Sequence, residues 1–112
     1  MNLDFKKAFK QSTKTIVFDY LGEGYEFKII PLPGYARAEI INKTTNGSPN
    51  EAEIAKIYLK NCIVSPEVTE EQAEEMIDYA YPLAFKLVRE INTATKEFDE
   101  KTVIEAEEAE KN

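Results

Sequence analysis

The chain has 112 residues, 43% of them hydrophobic, with 21 acidic and 14 basic side chains and a formal net charge of −7. That length fits one domain around one modest core, no apolar run reaches the about 18 residues a membrane helix needs, and the acidic balance disfavours nucleic acid and anionic membranes as partners. The absence of histidine and the presence of one cysteine, Cys62, exclude Ser-His-Asp and Cys-His catalysis, an imidazole or thiolate zinc site and an intrachain disulfide.

In chain order, residues 2–11 carry Leu3, Phe5, Ala8 and Phe9 at the spacing of a short amphipathic helix, among the lysines Lys6, Lys7, Lys10 and Lys14. No secretory signal is visible in MNLDFKKAFK, so a cytoplasmic location is expected. Over 14–20, Ile16, Phe18 and Tyr20 alternate with Val17 and Asp19, which predicts a strand. Gly22-Glu23-Gly24 suits a tight reversal, and Tyr25, Phe27 and Ile29 predict a second strand over 25–30. An isolated hairpin is marginal in water, so this one must pack on helices or pair with another strand.

Pro31-Leu32-Pro33-Gly34 ends the strand. Residues 35–43 have helical spacing, and Thr44 to Gly47 read as a loop. Ser48 as cap, Pro49 in the first turn and Glu51 as capping-box partner predict a helix running to about Ile63, with a stripe of Ile54, Ile57, Tyr58 and Cys62. Ser65-Pro66 ends it. Thr69 to Gln72 form a second capping box, followed by Ala73, Met76, Ile77 and Ala80. Pro82 predicts a break at Tyr81, and Leu83, Ala84, Leu87, Val88 and Ile91 a further helix over 83–95. Residues 96–112 hold seven acids against three lysines, with Phe98, Val103 and Ile104 as the larger apolar residues. They predict an acidic tail, frayed helix or disordered. The expected architecture is α+β: an N-terminal β-hairpin followed by a bundle of three to four α-helices. One domain covers 1–95 and the tail covers 96–112.

No motif carries catalytic chemistry, and no cofactor is implied. Gly22-Glu23-Gly24 lacks the third glycine or the Gly-Lys-Ser/Thr step of a phosphate loop. Glu70, Glu71, Glu74 and Asp78 lack the alternation and turn glycine of a calcium loop, so they read as a solvated helix face rather than a metal site. The aromatic residues are more informative. Tyr20, Tyr25, Tyr35, Tyr58, Tyr79 and Tyr81 exceed what so small a core needs, and tyrosine is enriched at interfaces. Together with Phe98, an anchor if the tail folds on binding, they are the candidate partner-binding residues. The plainer alternative places each tyrosine at the core edge with its hydroxyl in water.

Three stretches carry a family resemblance. They are the strand pair ending in Ile30-Pro31-Leu32-Pro33, the stretch Cys62-Ile63-Val64-Ser65-Pro66, and the start of the last helix at Tyr81-Pro82 with its run from Leu87 to Thr95. Over about residues 14–95 the chain resembles the tail assembly chaperones of long-tailed bacteriophages and related prophages. It departs from them at Tyr81, where leucine is more usual, and lacks the glycine that often follows the last helix. The resemblance implies a non-catalytic protein of the host bacterial cytoplasm that coats the phage tape-measure protein, helps recruit tail-tube subunits and is absent from the finished virion. A homo-oligomer is compatible with that role. The rival readings are a structural tail or connector component and a small bacterial protein-binding regulator.

Overall fold

The computed structural model describes residues 4–47 and 50–110, with side chains through Val103. In order the elements are α1 (Phe5–Lys10), β1 (Lys14–Tyr20), β2 (Glu23–Ile29), α2 (Gly34–Thr45), α3 (Glu51–Cys62), β3 (Ile63–Ser65), α4 (Glu70–Tyr79) and α5 (Tyr81–Glu110). The α+β reading stands, with a third strand added, and of the two alternatives for the C-terminal segment the helical one holds through Glu110, as a direct continuation of the last helix.

β1 and β2 pair antiparallel, with Ile16 opposite Phe27 and Phe18 opposite Tyr25. These side chains share one face, as period-two alternation requires. The reversal falls on Leu21 and Gly22, with φ of 52° and 82°, one residue earlier than expected. Positive φ at both central residues is the two-residue hairpin turn whose twist matches the flanking strands. Gly24 is therefore a strand residue, and β2 begins at Glu23. Leu21 takes this backbone while 87% exposed, so its side chain gains no burial in return. Leu21→Asn, better suited to that region, is expected to stabilise the fold by about 1 kcal/mol. The urea midpoint should rise with an unchanged m-value.

β3 answers the hairpin's need for a neighbour. Ile63 pairs with Ile29 and Ser65 with Lys28 across a register shift, making a sheet ordered β1-β2-β3. The helix expected to reach Ile63 stops at Cys62, whose carbonyl accepts the Ile30 N–H at 2.9 Å. Three residues are too few to show a period, so this strand was invisible to pattern reading.

Asn50 caps α3, its side-chain oxygen accepting from the Ala52 N–H at 2.8 Å. Ser48, expected as the cap, and Pro49, expected in the first turn, lie outside the described residues. The Thr69 capping box is present in both directions: the Thr69 N–H donates to Gln72 at 3.0 Å, and the Gln72 N–H donates to Thr69 Oγ1 at 3.2 Å. α2 extends through Thr45, two residues into the expected loop. The break near Pro82 falls on Ala80 rather than Tyr81, and Pro82 sits in the first turn of α5, where its missing N–H costs nothing.

α3, α4 and α5 pack on one another, with α2 against α3. Ile29, Ile57, Leu59, Leu87 and Ile91 are fully buried at the centre, joined by Phe18 and Phe27 from the sheet. α5 continues without interruption past Thr95. From Thr95 onward it is tied to the rest of the fold through Thr95, Phe98 and Asp99. Arg37 donates to both Asp99 carboxylate oxygens at 2.9 and 2.8 Å, and its Nε donates to the Leu32 carbonyl at 3.0 Å. Thr95 Oγ1 accepts the Leu32 N–H at 2.9 Å. Phe98 meets Phe9 edge-on, with ring centres 5.4 Å apart.

Candidate functional site

The turn end of the hairpin and the outer face of α4 enclose a groove of about 490 Å³. Tyr20 ends β1, and Tyr25 lies near it on β2 with ring centres 6.4 Å apart. Tyr25 also stacks on Phe27 at 6.5 Å. Met76 and Tyr79 share one face of α4, three residues apart. Val68, which is buried, and Leu83 close the base. Tyr79 is 85% exposed, an unusual position for so large a ring. The walls are thus aromatic and aliphatic.

The rim is acidic. Glu26, Glu67 and Glu75 line the groove, and no lysine or arginine does. Among the described residues these three carboxylates form no ion pair. Elsewhere Lys56 pairs with Glu70 and Glu74, Lys43 with Glu53, and Lys60 with Glu39. The Tyr25 hydroxyl donates to Glu23 at 3.2 Å, and that hydrogen bond raises the phenol above its usual pKa of 10.0.

The other sequence candidates lie elsewhere. Tyr35 borders a second apolar groove, of about 600 Å³, with Phe5, Phe9 and Pro33 and with Lys6 and Lys10 at its edge. Tyr81 stacks on Phe85 at 6.1 Å, on an exposed face of α5. Tyr58 is half-buried, and its hydroxyl donates to Asn92 at 2.9 Å, which ties α3 to α5. Burial raises its pKa. Phe98 is half-buried and packs against Phe9 of the same chain. The structure therefore brings three of the seven together: Tyr20, Tyr25 and Tyr79. Sequence reasoning missed Met76 and the three rim glutamates. The spacing of Met76 and Tyr79 on one helix face was the available signal for the first. Nothing local could assign the glutamates, which come from three separate segments.

Cys62 is fully buried, and burial pushes its thiol up to about 12, with Arg37 opposing weakly. A thiol held neutral in the fold but free to ionise in the unfolded chain makes stability fall as pH rises above about 9, its usual value. The expected loss is about 1.4 kcal/mol per pH unit from there towards pH 12. Urea titrations at pH 8.5 and 10.5 should show this slope in the wild type and a shallower one in Cys62→Ala. Equal slopes would mean that the thiol titrates normally.

Among the described residues no helix is long and apolar enough to cross a membrane. No protein-family model matches the chain, and neither the curated proteins nor the solved structures contain a significant match to it.

Proposed function

We propose that the protein is a non-catalytic assembly chaperone of the phage-tail type, acting in the host bacterial cytoplasm, and that it shields a basic amphipathic helix of the tape-measure protein. One observation carries this reading: the Tyr20–Tyr25–Tyr79 groove has apolar walls, an acidic rim and no basic lining residue. A groove of that kind suits a helix that presents apolar anchors at i, i+3 or i+4, and i+7, flanked by lysine or arginine. Tyrosine offers large contact area at small entropy cost, and the rim carboxylates favour a basic helix over an acidic one. Weak single contacts suffice when many copies line one rod, and they allow the coat to be shed when tube subunits arrive. The exposed Tyr81–Phe85 stack lies outside the groove and is the surface offered to those subunits.

The test is co-expression with a helix-rich tape-measure protein followed by size-exclusion chromatography. Many copies of the chain per client are expected in a soluble complex. Tyr79→Ala combined with Glu75→Lys should weaken binding of a basic amphipathic helix by about tenfold with an unchanged melting temperature, since Tyr79 and Glu75 are both exposed. Undiminished binding by that variant would remove the groove from the mechanism.

A further inference from the structure

We infer that the second groove, walled by α1 and the start of α2, binds an acidic peptide segment of another protein, with an aromatic or leucine anchor between Phe5 and Tyr35 and carboxylates on Lys6 and Lys10. Phe9, Ile30, Pro33 and Val64 line it beside those two rings. Phe5, Tyr35 and Val64 stand 76%, 68% and 45% exposed, so an anchor seated among them removes apolar surface of both partners from water. The volume, about 600 Å³, takes a few residues of a segment rather than the face of a domain. The wall is in place before a partner arrives, which lowers the ordering cost of binding. Asp4 caps α1 by accepting the Lys7 N–H at 3.0 Å, and Phe9 packs on Phe98.

Charge selects the occupant. Lys6 and Lys10 line this groove, and among the described residues no carboxylate does. In a chain of net charge −7 that is a local reversal of sign. Among the described residues these two lysines form no ion pair, whereas Lys43, Lys56 and Lys60 each meet a glutamate. Their attraction is therefore left for an incoming carboxylate, and a basic segment is repelled. The groove between the hairpin and α4 has the opposite preference. The two lie at opposite ends of β1, Thr13 beside one and Tyr20 in the other, about 20 Å apart along seven strand residues. One copy can thus hold a basic helix at one end and an acidic segment at the other, and bridge the two.

The probe is a fluorescein-labelled peptide, Glu-Glu-Leu-Phe-Glu-Glu, titrated with the full chain by fluorescence anisotropy. It should bind, more weakly at high salt. Lys-Lys-Leu-Phe-Lys-Lys and Glu-Glu-Ala-Ala-Glu-Glu should each bind at least about tenfold less tightly, the first for want of charge and the second for want of an anchor. Lys6→Glu with Lys10→Glu, and separately Tyr35→Ser, should each weaken the acidic peptide by about tenfold. All three positions are exposed, so the melting temperature should not move. Tyr79→Ala, in the other groove, should bind the acidic peptide as the wild type does, which keeps this result separate from that of the client reading. No binding by the wild type, equal binding of the lysine peptide, or binding that survives both variants would overturn the inference. Two further outcomes would also overturn it while the peptide stays unbound. Co-sedimentation with phosphatidylglycerol vesicles, lost in the Lys6→Glu, Lys10→Glu variant, would give the patch to a membrane surface. A mass that climbs with concentration in the wild type but not in Tyr35→Ser would give the groove to a second copy.

Discussion

Leu87→Asp is expected to abolish the cooperative thermal transition. Leu87 is 0% exposed and sits on α5 among Ile29, Ile57, Leu59 and Ile91. Removing its side chain alone costs about 3 kcal/mol. An unpaired carboxylate in the same place adds several kcal/mol more, or its protonation and hydration force the core open. No basic side chain belongs to the buried cluster that would receive it. A domain of this size holds only about 5–10 kcal/mol in all, so the variant should be unfolded at 25 °C by circular dichroism. Ile91→Asp, one turn on and equally buried, should behave the same way, whereas Leu87→Ala should fold with a lowered midpoint. If both aspartate variants melt as the wild type does, α5 does not form the core described above.

Ending the chain at Thr95 should destabilise the domain by about 2–3 kcal/mol, although it leaves the buried cluster whole. The cut removes Asp99 and Phe98. The Arg37–Asp99 pair is bidentate, but its side chains are 36% and 44% exposed, so solvent screening limits it to about 1 kcal/mol. The Phe9–Phe98 edge contact contributes about 1 kcal/mol. The remainder comes from fraying of the last turns of α5, which loosens the Thr95–Leu32 hydrogen bond. Asp99→Ala and Phe98→Ala in the full chain divide the loss between the two contacts. A truncated chain as stable as the intact one would mean that the domain ends at residue 95, as composition alone suggests.

That second case shows where the sequence stops being informative. Residues 96–112 read as a tail because their apolar content is too low to bury a face. Their attachment comes from Arg37, 62 residues away from Asp99, and no local pattern reports a partner at that distance. β3 escaped for a related reason, since Ile63–Ser65 has meaning only beside Ile29. The hairpin strands, the Thr69 capping box and the Leu87–Ile91 stripe were legible because each is written in periods of two to four residues. The turn was placed one residue late because glycine marked it, whereas Leu21 accepts positive φ under the demand of strand register. The groove was legible only as a surplus of tyrosine. Which three would converge depended on the turn end of the hairpin lying across a groove from α4, a tertiary fact.

The grouping of those three tyrosines has an optical consequence. The chain has no tryptophan and six tyrosines, so its intrinsic emission is tyrosine emission, and half of its emitters lie in one groove. A carboxylate that accepts a phenol's hydrogen bond quenches that emission, and Tyr25 donates one to Glu23. An incoming lysine that draws Glu23 away would brighten the protein, while a ring stacked into the groove would shift its absorbance. Occupancy could then be followed on the unlabelled chain, with the fluorophores already standing at the place where the partner would arrive.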